Sequence, residues 1–208
     1  MKLAVIASEE QKKILLAAGT VTTAEVLWMT APAVANDING YIDLLYNGQP
    51  ERAKALAENE NTLVIINAVD KTLAGFPSNI VRINGWPGFI DRPVLEAAGE
   101  NEEMRKKTGE IFSIFNKQIL WSPDRPGLIS ARVICTVINE AYLSLEENVS
   151  TKEAIDTAMK LGTNYPFGPF EWCEKIGRKN VVGLLKEMSK ESDRYNPSGL
   201  LTAEAVTE

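Results

Sequence analysis

The stretch VIASEEQK at residues 5–12 sets a short apolar run against a tight turn and the start of a helix. In that layout a βαβ unit offers a helix N-terminus to a phosphate. Here the turn has no glycine and holds Glu9 and Glu10, whose charge opposes such a ligand. A count removes other chemistries. The chain has no histidine, which excludes the commonest general base, any Ser–His triad and most zinc sites. Its two cysteines, Cys135 and Cys173, lie far apart in apolar surroundings and read as buried free thiols, so no metal site is expected. The sequon Asn148-Val149-Ser150 counts for little without a secretory signal.

Around these residues stands a chain of 208 residues, enough to bury a sizeable core as one large domain or two small ones. A net charge of −6 and no long basic run argue against a nucleic-acid partner. An anionic substrate therefore needs a local cluster of Lys and Arg. One lysine and a five-residue apolar run at the start fall short of a signal-peptide core. No segment approaches the roughly 18 apolar residues of a membrane span. A cytoplasmic protein with no membrane contact is expected.

Alternating elements must position the chemistry. Residues 2–7 (KLAVIA), 25–29 (EVLWM), 62–69 (TLVIINAV), 79–83 (NIVRI) and 118–121 (QILW) read as strands. Helices are expected over 8–18, with Ile14, Leu15 and Ala18 on one face, then over 37–47, 51–58 and 101–116. Ser8 with Gln11 three residues on forms a capping box. After residue 123 the character changes. Residues 128–147 form a helix apolar nearly all round, and Ser150-Thr-Lys-Glu153 caps a helix ending at Gly162. A rigid connector is expected over 165–170, then a third helix over 180–192. The fold class is α/β then all-α: a reduced Rossmann-like parallel-sheet domain over 1–123 and a helical domain over 124–208.

Motifs in the second half carry a resemblance. DRPGLI at 124–129, NEA at 139–141, AIDTAMKLG at 154–162, YPFGPFE at 165–171 and RYNPS at 194–198 are similar to the C-terminal domain of 3-hydroxyacyl-CoA dehydrogenases. The resemblance implies an N-terminal Rossmann domain for NAD and a helical domain that dimerises and shapes an acyl-CoA cleft. It also implies NAD-dependent oxidation of 3-hydroxyacyl-CoA to 3-oxoacyl-CoA, a reaction of fatty-acid and butanoate metabolism.

Residue by residue, the resemblance is incomplete. The family's glycine fingerprint falls on Ala7, Glu9 and Lys12, with Ser8 in the turn between. No acid for ribose ends the second strand, where Trp28, Met29 and Thr30 follow Leu27. The family's catalytic His falls on Asn84, while Glu96 keeps the place of its Glu partner. An amide cannot take a hydroxyl proton at neutral pH, so Asn84 can polarise a carbonyl but not act as a base. Read by itself, Glu96 is a solvated charge at a helix start. The family's Asn of the first C-terminal helix falls on Ala131, and Asn67 matches an Asn after the central strand. Arg92 matches a basic position beside the acyl-CoA cleft, with Arg82 close in sequence. The expected function is a catalytically degenerate family member acting as a binding or scaffold homodimer through its C-terminal helices. Acyl-CoA is its candidate ligand, and it keeps no resident cofactor. The alternative is an active NAD(P)-dependent dehydrogenase or reductase with an altered cofactor site.

Overall fold

The computed structural model describes residues 1–17, 19, 24–35 and 37–207. In chain order the first elements are β1 (Lys2–Ile6), α1 (Glu9–Ala17), β2 (Glu25–Met29), β3 (Gly40–Asp43), α2 (Pro50–Leu56), β4 (Leu63–Ile66), β5 (Ile80–Ile83), β6 (Val94–Ala98), α3 (Glu102–Ser113) and β7 (Gln118–Trp121). Their strands form one sheet in the order β2-β1-β3-β4-β5-β6-β7. The first five run parallel, β6 lies antiparallel to β5, and β7 runs parallel to β6. Among the described residues one strand, β2, stands beyond β1, where a full doubly wound order carries two. In that sense the Rossmann-like sheet is reduced.

Strand alternation sorts the core into two faces. Leu3, Val5, Leu63, Ile65, Val81, Ile83, Leu95 and Ala97 pack with Leu15 of α1 and with Met104, Ile111 and Phe112 of α3. Ala4, Ile6, Val64, Ile66 and Ile80 pack on the other face with Ala53 and Leu56 of α2. Arg82 and Glu96 alternate with the first set and therefore belong to the second face.

Two expectations about this sheet are corrected. Residues 37–47 hold no helix: the spacing of Ile38, Tyr41, Ile42 and Leu45 imitates one, but Gly40–Asp43 is a central strand buried at every residue, which leaves no alternation to read. Among the described residues seven strands are present where five were expected, since β3 and β6 both escaped the sequence. Glu96 is therefore no solvated helix-start charge. It sits within β6 at 8% exposure. Ala18, expected on the apolar face of α1, lies outside the described residues.

The helical part comprises α4 (Ser130–Glu146), α5 (Lys152–Thr163), α6 (Pro169–Ile176), α7 (Arg178–Ser189), a 3-10 turn at Asp193–Tyr195 and α8 (Gly199–Val206). No strand follows Trp121 among the described residues. The cap of α5 is Thr151 rather than Ser150, its side chain accepting from the Ala154 N–H at 3.3 Å. Helices α6 and α8 were not expected. The chain divides into compact units Met1–Leu128 and Ile129–Glu208. That division lies beyond residue 123 because Asp124, Arg125 and Gly127 are bonded into the first unit. No helix of the described residues is long and apolar enough to cross a membrane.

Candidate functional site

Ligands of open α/β sheets sit outside the carboxyl ends of the strands, where the strand order reverses. Here that switch point lies between β1 and β3. The turn leaving β1 is closed by its own side chains. Gln11 Nα–H donates to Ser8 Oγ at 3.2 Å, and Ser8 N–H donates to Gln11 Oε1 at 2.9 Å, the capping box expected from sequence. Gln11 then reaches across the switch point, its Nε2 donating to the Leu44 carbonyl just after β3 at 3.2 Å. Ala7 is buried, Ser8 half-buried and Glu9 exposed.

From Leu44 the bonding continues along the strand ends. The same carbonyl accepts from Asn67 Nδ2 at 3.4 Å, and Asn67 Oδ1 accepts from the Gly85 N–H at 2.9 Å. A Cβ on Gly85 would stand 2.9 Å from Asn67 Cγ, so only glycine allows this approach. Next to it, Asn84 extends β5. Its N–H donates to the Glu96 carbonyl at 3.0 Å, continuing a ladder in which Arg82 pairs with Ala98 and Ile83 with Ala97. Residues 84 and 96 are thus direct cross-strand partners, a hydrogen-bonded pair whose side chains stand on one face of the sheet. Asn84 is 1% exposed; its Oδ1 accepts from the Trp86 N–H at 3.4 Å, and its Nδ2 has no hydrogen-bond partner. A buried amide nitrogen without an acceptor costs about 1–3 kcal/mol, which native structures rarely leave unanswered.

The two arginines part company. Arg82 is fully buried and spent on structure, which corrects its expected role as a substrate anchor. Its guanidinium binds Asp124, the Ala68 and Val69 carbonyls at 3.0 and 3.3 Å, and the Arg125 carbonyl. Burial lowers its pKa and Asp124 opposes that drop. Arg92 is exposed. Its Nε holds the Gly88 carbonyl at 3.1 Å, while its own carbonyl accepts from the buried Lys117 Nζ at 2.9 Å. Its terminal nitrogens have no partner among the described residues.

Asp43, too far along the chain to be read as a stand-in for the ribose acid, ends β3 fully buried and takes a bidentate pair of bonds from Arg52, both 2.7 Å. Burial raises its carboxyl above the ordinary range despite that partner. Its signal in the sequence is weak, since the strand that carries it is buried at every residue and shows no alternation. Among the described residues no cluster of His, Cys, Asp and Glu could hold a metal ion. Cys135 and Cys173 are buried free thiols, and burial pushes the Cys135 thiol far up, away from reactivity.

Residues 127–205 match a family model, the 3-hydroxyacyl-CoA dehydrogenase C-terminal domain. The chain is 40% identical over 151 residues to the mitochondrial hydroxyacyl-coenzyme A dehydrogenase of Mus musculus, covering 68% of this chain and 46% of that protein. It is 37% identical over 94 residues to the 3-hydroxyadipyl-CoA dehydrogenase of Escherichia coli (strain K12), covering 44% of this chain and 20% of that one. The chain belongs to the 3-hydroxyacyl-CoA dehydrogenase family. Its fold superposes on FadB2 of M. tuberculosis with a TM-score of 0.82 at 14% identity, covering 99% of this chain and 93% of that one. Against (S)-3-hydroxybutyryl-CoA dehydrogenase PaaH1 from Ralstonia eutropha the TM-score is 0.73 at 18% identity, covering 88% and 70%. At such identities the likeness is one of fold alone. The chain spans between 20% and 57% of the length of the curated relatives it matches.

Within the 3-hydroxyacyl-CoA dehydrogenase domain, the motif residues act on backbone. Asn139 Nδ2 donates to the Asn196 carbonyl at 2.9 Å and its Oδ1 accepts from the Ser198 N–H at 2.8 Å, clamping the RYNPS segment. Asp156 of α5 accepts from the Phe170 and Glu171 N–H groups at 2.9 and 3.2 Å, capping α6 from another helix. A Cβ on Gly168 would fall 2.3 Å from the Asp156 carboxyl carbon, so the cap requires that glycine. Asp124 of the DRPG motif, which precedes that domain, holds the Arg82 guanidinium and the Leu73 N–H. Family residues here build a scaffold.

Proposed function

We propose that this chain is a member of the 3-hydroxyacyl-CoA dehydrogenase family that no longer transfers hydride and works as an acyl-CoA-binding homodimer. Position 84 carries the reading. Oxidising an alcohol requires a group that takes the hydroxyl proton, and a carboxamide cannot. What Asn84 offers is a buried donor without an acceptor, directly opposite the carboxylate of Glu96. Such a pair suits a bound oxygen: the amide donates to a carbonyl or hydroxyl oxygen of an acyl chain, and no proton is relayed.

The switch point supports the same reading, because its residues do not fit a dinucleotide. The capping box occupies N–H groups that a pyrophosphate would take. The Gln11 side chain fills the crevice, Glu9 adds charge of the wrong sign, and Asp43 is committed to Arg52. The homodimer rests on α5, whose one buried side chain is Asp156; Ile155 and Met159 stay half-covered, and Leu161 is 83% exposed. An amphipathic helix with so little of its apolar side covered is suited to a second copy of the same surface.

Incubation with NADH and acetoacetyl-CoA tests the proposal, together with thermal shifts in the presence of NAD and several acyl-CoAs. Expected are a shift with acyl-CoA, none with NAD, and no NADH oxidation above the protein-free rate. Turnover that disappears in Glu96→Gln would sink it. That outcome would favour an active reductase, a reading supported by the cross-strand pairing of residues 84 and 96, in which Asn84 polarises a 3-oxo group. A monomer at micromolar concentration by light scattering would refute the dimer.

A further inference from the structure

In the helical unit, two guanidinium groups converge on one phenol. Tyr195, in the 3-10 turn, is 5% exposed. Arg132 of α4 and Arg194 both donate to its hydroxyl oxygen, at 3.1 and 2.6 Å. Both also lie against its ring, with Cζ 4.9 and 4.5 Å from the centroid. The two donor nitrogens are therefore at most 5.7 Å apart. Like charges at that spacing repel unless an anion joins them. Arg132 has a carboxylate at 3.3 Å, that of Glu191. Arg194 is exposed and has no carboxylate partner among the described residues.

The phenol completes the pattern. Its oxygen has two lone pairs and one proton to give. Both lone pairs are engaged by the arginines, while the proton reaches no acceptor among the described residues. Positive charge and hydrogen-bond donors thus meet at one point, with the Glu191 carboxylate at its edge on the Arg132 side. A purely structural role, tying the 3-10 turn to α4, accounts for Arg132 but leaves unexplained why a second cation is held beside it. Planar guanidinium forks with a hydroxyl donor are the partners an oxyanion requires, and the several oxygens of a phosphate match three converging donors.

We propose that Arg132, Arg194 and the Tyr195 hydroxyl form a binding site for a phosphate group, outside the Asn84–Glu96 pair and independent of it. The phosphate comes either free or as the ester of a nucleotide ligand such as coenzyme A.

Calorimetric titration of the full chain at low salt tests this with inorganic phosphate, coenzyme A and dephospho-coenzyme A, which lacks the 3′-phosphate. Arg194→Gln is the main variant, because its side chain is exposed and holds no carboxylate. Tyr195→Phe is the second, since it keeps the ring under both arginines and removes only the hydroxyl. Expected is binding that weakens about tenfold or more in Arg194→Gln and by a smaller factor in Tyr195→Phe, with melting temperatures of both near the parent value. If the loss appears with coenzyme A but not with dephospho-coenzyme A, the site takes the nucleotide 3′-phosphate. If it appears with inorganic phosphate alone, the site takes the free ion. The proposal is overturned if neither inorganic phosphate nor coenzyme A loses affinity in Arg194→Gln, absence of any binding included. A failure of the acyl-CoA reading leaves the inorganic phosphate result untouched.

Discussion

Two buried asparagines separate the two units. Asn139, 3% exposed in the helical unit, has donor and acceptor both engaged with the backbone of the RYNPS segment. Asn84, 1% exposed in the α/β unit, has its amide nitrogen unengaged. The first is a clamp: remove it and two backbone groups lose their partners. The second is a cost carried by the fold. The motifs that make the helical unit resemble its family are of the first kind. At the family's functional positions in the α/β unit stand residues that satisfy one another, as Ser8 and Gln11 do, or that wait for something, as Asn84 does. Resemblance by motif therefore reports scaffold here, and says little of chemistry.

The contrast can be broken by substitution, and the largest effect is expected where scaffold charge is buried. Asp124→Ala strands the Arg82 guanidinium and should cost about 3–5 kcal/mol in denaturant melts. Arg52→Ala leaves Asp43 buried alone, with a loss of about 3 kcal/mol near neutral pH. The Asp43 carboxyl is raised in the folded state, so its stabilising contribution is present below its unfolded pKa and fades as pH rises through the folded value. The Arg52→Ala penalty should therefore shrink as the pH is lowered; a penalty that grows in acid would contradict the assigned direction.

Smaller effects sharpen the comparison of the two asparagines. Asn139→Leu should cost about 2–3 kcal/mol, because it orphans the Asn196 carbonyl and the Ser198 N–H. Gln11→Ala should cost about 1 kcal/mol by opening the capping box. Asn84→Leu should change stability by less than about 1 kcal/mol, in the stabilising direction, while abolishing the thermal shift with acyl-CoA. If Asn84→Leu instead destabilises as much as Asn139→Leu, Asn84 is a clamp too and the distinction between the units fails.

Much of this was legible in the sequence where local rules decide. The capping box at Ser8, the change of character before α4 and the central strand of β4 follow from caps and periodicity alone. β3 was hidden because a strand buried on both faces shows no alternation, and its neighbours copied a helical spacing. β6 was hidden because a five-residue strand with a glutamate in its centre looks like surface until its partner strand is known. α6 begins with a cap supplied by Asp156, a residue of another helix, and no local pattern announces that. The candidate site was legible as residue types at positions 84 and 96, but their pairing depends on a reversal of strand direction that sequence does not state.

That reversal has a consequence for how the site can change. In an antiparallel ladder the numbers of paired residues add to a constant, so the partner of residue 84 is set by the two strands and not by the length of chain between them. The loop after Gly85 can lengthen, shorten or exchange its side chains while residues 84 and 96 keep facing each other. A slip of one residue in the strands, by contrast, would turn Glu96 to the opposite face. The fold thus separates what varies from what stays: ligand preference can drift in the loop while the two polar groups remain a matched pair.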